Sequence, residues 1–461
     1  MTHDLPRTVG ALRASGHELR GVKDEIRRNL LAALRSGRDP WPGIVGFEST
    51  VLPQLERALI AGHDVVLLGE RGQGKTRLLR SLTGLLDEWT PVIDGAELGE
   101  HPYDPITPAA RRRAAELGDE LPVAWRHRDD RYTEKLATPD TAVADLIGDI
   151  DPVKVAEGRS LGDPETIHYG LVPRAHRGVV AINELPDLAE RIQVSLLNVM
   201  EERDIQVRGY TLRLPLDVLL VASANPEDYT NRGRIITPLK DRFGAEVRTH
   251  YPLELADEIA LMEQEAHMVA SVPYHLLEIV ARFTRALRES SAVDQGSGVS
   301  ARFAVAAAET VAAAALRRAA ITGEGHAVAR PVDLESVPVV LRGKLEFASG
   351  EEGRETEHLE HLLRRAVADT ARARLRGIDL TPLAEAVAGA PVRTGERVPA
   401  AELVAGLPVI DVLTEIAKRL DAAGTEDPGP MASAAELALE LLFLTRRLAK
   451  DTADDDSVSY G

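Results

Sequence analysis

Gly69-Glu70-Arg71-Gly72-Gln73-Gly74-Lys75-Thr76 reads G-x-x-x-x-G-K-T, the phosphate-binding P-loop pattern. Asp64-Val65-Val66-Leu67-Leu68 precedes it, a short apolar run of the kind that forms a strand buried on both faces. Arg77-Leu78-Leu79-Arg80-Ser81-Leu82 follows, with its leucines on one helical side. Strand, Gly-rich turn and helix is the context the motif needs. The glycines let successive N–H groups turn toward one phosphate chain, and the helix start adds its positive end. Lys75 supplies a point charge for the β- and γ-phosphates, and the Thr76 hydroxyl can ligate Mg²⁺. Glu70, Arg71, Gly72 and Gln73 belong to the same cradle.

The 461 residues are enough for two or three domains. The content is 44% hydrophobic and 28% charged, ordinary for a globular protein, and the 4% aromatics leave the cores to aliphatic residues. A net charge of −18 argues against a nucleic-acid binder whose whole surface is the footprint. The absence of cysteine excludes disulfides and thiolate metal sites and fits a reducing cytoplasm. The first ten residues do not read as a signal peptide, and no run of about 20 apolar residues occurs, so no membrane span is expected.

Residues 1–40 read as a helical extension, with Val22, Ile26, Leu30 and Leu34 at i, i+4. Gly43-Ile44-Val45-Gly46 precedes a helix expected over 49–61, and such an apolar turn packs on an adenine ring or is an ordinary strand-to-helix turn. A second strand is expected at 90–94. Residues 95–140 read as an insertion with little core of its own, and its Arg111-Arg112-Arg113 as a solvated helix face. The strand Val179-Val180-Ala181-Ile182 leads into Asn183-Glu184, the place and shape of a Walker B motif. Helix 189–202 and a hairpin over 206–214 follow. The strand 217–224 ends in Asn225-Pro226, where an amide orients an attacking water or Asn simply makes a turn; the strand order favours the first. A short strand is expected at 245–248. Residues 253–350 carry helices at 253–266, 275–289 and 300–320, with an N-cap at Ser300. Arg302 then sits in a first helical turn, a poor place for a cation, which points to an anionic partner or to solvent exposure. Residues 351–461 are mostly helical, with a linker at 424–430 and an acidic disordered tail at 451–461.

Together these residues resemble the AAA+ ATPases of the magnesium-chelatase I-subunit and MoxR group, from about Gly43 to Phe347. Beyond the P-loop, the resemblance rests on Gly43-Ile44-Val45-Gly46, Asp145-Leu146-Ile147-Gly148 and the turn Arg174-Ala175-His176-Arg177-Gly178. Glu201-Glu202-Arg203, Val207-Arg208-Gly209 and Asp241-Arg242-Phe243-Gly244 complete it. The implied fold class is α/β. A three-layer αβα P-loop core with a parallel sheet spans 41–252, with the insertion at about 95–140. A helical lid over 253–350 and a mostly helical region over 351–461 follow. By similarity, Ile44 and Val45 line the nucleotide base, Asn225 is sensor 1, Arg242 is the arginine finger for a neighbouring subunit and Arg302 is sensor 2. The cofactors implied are ATP and Mg²⁺. The partners implied are further copies of the chain in a ring, a hexamer in this family, and a protein with a von Willebrand A-type domain. No nucleic acid is expected.

One position departs from the family. Walker B has Asp-Glu, and this chain has Asn183-Glu184. Asn keeps the shape and one acceptor of the metal-holding Asp but loses its charge. Glu184, which polarises water, is retained. Two outcomes follow: hydrolysis with weaker Mg²⁺ affinity, or a nucleotide-gated scaffold with very slow turnover. A narrower version of the first is a true chelatase motor driving magnesium into protoporphyrin. Sigma-54-type activators share the core but carry a Gly-Ala-Phe-Thr-Gly-Ala loop, a string this chain lacks.

Overall fold

The computed structural model describes residues 5–159, 164–202, 204–207, 210–226, 234–294, 298–351, 353–421, 427–452 and 458–461. Two compact units are present, Met1–His250 and Tyr251–Gly461. Arg203, Arg208 and Gly209, named above, lie outside the described residues.

The first unit is built on a five-stranded parallel sheet. Its strands are β1 (Val65–Leu68), β2 (Tyr132–Leu136), β3 (Gly178–Asn183), β4 (Val218–Ala224) and β5 (Ala245–Arg248), in the order β5-β1-β4-β3-β2. Period-two alternation divides each central strand between two cores. Val66, Leu68, Val180, Ile182, Leu220 and Ala222 pack with Leu185, Ile192, Leu196 and Val199 on one face. Val65, Leu67, Val179, Ala181, Leu219 and Val221 pack on the other with Val22, Ile26, Leu30, Val51, Leu55 and Leu59. Both faces being covered explains why these strands read as unbroken apolar runs.

Helix α1 (Val22–Ser36), within the helical extension expected over 1–40, packs into the main core. Leu34 alone of its apolar set stays exposed. The helix at 49–61 is α2 (Val51–Ala61), and α3 (Lys75–Ser81) follows the P-loop.

The insertion is revised. Trp89–Ile93 forms the expected strand, but pairs antiparallel with Val123–His127 outside the main sheet. Val9, Leu12, Ile93, Ala110, Leu121 and Val123 form a small core there. Residues 132–136, assigned above to the insertion, supply the edge strand β2. The arginine run lies on the helix Pro108–Leu117 as the bland reading has it: Arg112 pairs with Glu165, Arg111 donates to the carbonyl of Pro105 and Arg113 to that of Asp94.

Strand register brings the carboxyl ends of β1, β4 and β3 level: Leu68 lies beside Ala224, and Ala222 beside Ile182. That edge is where ligands sit in open α/β sheets. The hairpin of Asp204–Val207 with Tyr210–Arg213 forms after helix α4 (Glu190–Glu202), as expected.

The second unit contains α5 (Leu255–Glu265), α6 (Tyr274–Glu289) and α7 (Ala301–Thr322). Ser300 occupies the N-cap position without a side-chain capping bond, and Arg302 is exposed in the first turn. Residues 253–350 and 351–461, expected as separate regions, share one apolar core that runs from Ile259 to Tyr460. Arg330, fully buried, ties them further: it pairs with Glu436 at 3.1 Å and donates to the carbonyls of Gly395 and Val398. The disordered tail is corrected at its end. Val458–Tyr460 is the middle strand of a small sheet between Val392–Thr394 and Lys450–Thr452, with Tyr460 only 1% exposed. Of the linker expected at 424–430, residues 424–426 lie outside the described residues, and Pro428 already begins a helix. Among the described residues no helix is long and apolar enough to cross a membrane.

Candidate functional site

The site is the loop between β1 and α3 with the strand ends on either side. Gly72 and Gly74 adopt φ of 74° and 73°, where an L side chain is strained. Gly69 is demanded for a different reason: a Cβ there would lie 1.9 Å from the Thr249 hydroxyl. The turn is pinned from beside β5, where Thr249 donates to Gln73 Oε1 at 2.8 Å. Glu70 and Arg71 are exposed on the outer side of the loop. A cavity of about 370 Å³ opens there, lined by Gly69, Glu70, Gln73, Lys240, Arg248 and Thr249 among others.

Lys75 is 7% exposed and its ammonium crosses the loop. It donates to the carbonyls of Gly69 and Glu70 and, at 2.7 Å, to Asn225 Oδ1. Asn225 in turn donates from Nδ2 to Glu184 Oε2 at 2.6 Å. One amide thus joins the P-loop cation to the Walker B carboxylate. Glu184 holds φ 56° and ψ 47°, a left-handed conformation that Glu rarely adopts. Its N–H is held by Ser223 Oγ at 3.3 Å, a hydroxyl on the last turn of β4 that the sequence reading missed.

Thr76 and Asn183, the expected metal ligands, face one another beside the loop. Thr76 Oγ1 lies 3.5 Å from Asn183 Oδ1, and Ser223 Oγ donates to that same oxygen at 3.1 Å. Asn183 Nδ2 donates to Glu134 Oε1 at 2.7 Å. Glu134, on β2, was also missed. Its only sequence signal is a carboxylate in a partly polar edge strand. The glycine turn, a buried lysine aimed across it and two oxygens facing one another beside it fit a Mg²⁺-nucleotide.

Ile44 and Val45 are half-buried before α2, with Ile44 against the core of the sheet's α1 face. Arg242 ends the helix Thr237–Arg242, 43% exposed and paired with Glu201. Arg302 belongs to the second unit. His176 and Arg177, in the turn before β3, form a buried polar hub. Arg177 has φ 60° and donates to the carbonyl of Pro91, while His176 Nδ1 accepts from the N–H of Asp217 at 3.1 Å. Burial, reinforced by Arg177, lowers the His176 pKa to about 3. Arg131 braces the same hub, pairing with Glu25 through two bonds of 2.7 Å.

The Sigma-54 interaction domain family matches residues 158–242, well under half of the chain. The magnesium-chelatase subunit ChlI of Nostoc sp. is 29% identical over 245 residues, 51% of this chain and 61% of that protein. The chloroplastic subunit ChlI-2 of Arabidopsis thaliana is 30% identical over 237 residues, 49% of this chain and 52% of that protein. The chain thus spans roughly half to three-fifths of the length of these relatives. A cryo-EM-based structure of the complex between subunits BchI and BchD of magnesium chelatase overlaps 69% of this chain and 98% of that chain at 21% identity, with a TM-score of 0.37.

Proposed function

From the premise that this chain is an AAA+ protein of the magnesium-chelatase I type, we propose that it binds ATP with Mg²⁺ and hydrolyses it. It does so as one subunit of a ring that remodels or activates a protein partner, in the manner of the chelatase I and MoxR group. The observation that carries this reading is the chain of hydrogen bonds from Lys75 through Asn225 to Glu184. It brings a cation, an amide and a carboxylate together at one strand edge, which supports reading them as phosphate binder, water-orienting group and base.

The roles follow from the chemistry of each group. Lys75 and the loop amides hold phosphate oxygens. When bound, Mg²⁺ neutralises charge on the β- and γ-oxygens; Thr76 and Asn183 would hold it and its waters. Glu184 accepts the proton of the attacking water, and Asn225 fixes where that carboxylate points. Arg242 is 43% exposed at a helix end and pairs with Glu201, a placement that suits a finger acting on a neighbour's phosphate. Such a finger requires a ring, and a hexamer is the reading adopted here. Ile44 and Val45 flank the base, and Arg302 acts from the lid. A von Willebrand A-type protein is the partner proposed and the cytoplasm the place.

Glu184→Gln tests the reading. The variant is expected to bind ATP with Mg²⁺, lose turnover and retain a protein partner in pull-downs. Recovery of no partner in ATP would count against remodelling. Asn183 supports a second reading, the nucleotide-gated scaffold, which requires ATP binding without turnover in the unaltered protein. The chelatase relatives support a narrower form of the first, which a magnesium-insertion assay with the other chelatase subunits decides.

A further inference from the structure

Replacing a metal-holding carboxylate by an amide does more than remove charge. A carboxylate presents oxygen on both sides, whereas Asn presents oxygen on one and N–H donors on the other. An NH₂ turned toward Thr76 would repel a cation. Which way the Asn183 amide faces therefore decides whether the metal side works.

Its neighbours settle the orientation. Glu134 has only acceptor oxygens when ionised, so the amide N–H must lie toward it, at 2.7 Å. The amide oxygen is then directed to Ser223 Oγ and Thr76 Oγ1. Glu134 is itself held in place. Arg80, from the P-loop helix, grips it with bonds of 2.7 and 3.1 Å, and the Tyr132 hydroxyl donates to it at 3.2 Å. Register explains how a distant residue reaches: Glu134 stands opposite Ala181, two residues before Asn183 on the same face of the neighbouring strand.

We propose that Glu134 is a positioning residue for the metal side, locking the Asn183 amide with its oxygen toward the Mg²⁺ position. Glu134 and Asn183 are a matched pair. An Asp at 183 would set two carboxylates at hydrogen-bond distance, with no donor between them and like charges in repulsion. Restoring the family residue alone is therefore harmful, and it helps only when Glu134 is neutralised as well. The Mg²⁺ consequence rests on the ATP reading above; the pairing does not.

The test uses the full chain and the variants E134Q, N183D and E134Q/N183D, with two readouts. The first is the thermal midpoint without nucleotide or metal. N183D is expected to lower it and the double variant to recover it, a non-additive cycle that a merely structural Glu134–Arg80 pair would not produce. The second is the Mg²⁺ concentration needed to bind a fluorescent ATP analogue. E134Q is expected to raise it about fivefold by letting the amide turn, a loss on the scale of one hydrogen bond. The double variant is expected to need less Mg²⁺ than the unaltered protein, and N183D alone to need more than the double variant. Additive midpoints, or N183D alone matching the double variant in Mg²⁺ dependence, overturn the proposal. If the unaltered protein binds no nucleotide, the ATP reading fails, while the thermal cycle still decides the pairing.

Discussion

The two sides of the P-loop are held differently. On the cation side, Lys75, Asn225 and Glu184 bond directly to one another. On the metal side, Thr76 and Asn183 stand 3.5 Å apart, and the amide is fixed from behind by Glu134 and Ser223. The first side keeps the residue types that phosphoryl transfer uses, and its geometry follows from their own attraction. The second has exchanged a charge for an oriented dipole, so a group on another strand must set its direction. A substitution in a motif therefore has to be read with the residue it faces in space.

Four measurements press on this contrast, from the largest expected effect to the smallest. Arg242→Ala, which removes the proposed finger, is expected to lower turnover about a thousandfold with nucleotide binding intact. A loss of binding instead would move Arg242 into the chain's own pocket. Glu184→Gln is expected to lower kcat by about two to three orders of magnitude, with ATP affinity retained. If kcat barely moves, the cation side is not the catalytic one. Asn225→Ala leaves Glu184 without that amide, and a fall in kcat of about tenfold to a hundredfold is expected; an effect confined to KM would reduce Asn225 to a binding residue.

The smallest effect concerns the buried hub before β3. His176 is neutral in the fold because burial lowers its pKa to about 3. The unfolded chain, with the ordinary value near 6.5, binds the proton first. Stability from this group is therefore fully present above pH 6.5 and lost as pH falls toward 3, at up to about 1.4 kcal/mol per pH unit. His176→Asn keeps an acceptor for the N–H of Asp217 and is expected to flatten denaturant midpoints between pH 6 and 4. An unchanged slope would transfer the acid sensitivity to other buried groups, such as His101, whose pKa burial lowers to about 2.

Much of the first unit was legible because its signals are local. Val65–Leu68 and Gly178–Asn183 are buried on both faces, so each reads as an apolar run without knowledge of its partners. Tyr132-Thr133-Glu134-Lys135-Leu136 was not legible as a core strand. It lies at the sheet edge, pairs on one side only and keeps a polar face. That same position hid Glu134, whose role exists only through register with Asn183. Val458-Ser459-Tyr460 escaped because three residues after an acidic run carry too short a pattern. Their order comes from strands about ten and sixty residues upstream. Arg302 was legible as an oddity, a cation in a first turn, and it stands there exposed.

The central claim is that the cation side hydrolyses ATP although the metal side has lost its Asp. Steady-state phosphate release by the unaltered protein, followed across Mg²⁺ concentrations at saturating ATP, tests it most directly. Release that rises with Mg²⁺, saturates and disappears in Glu184→Gln is the predicted result. Nucleotide bound at saturating Mg²⁺ with no phosphate released would contradict it and leave the scaffold reading in its place.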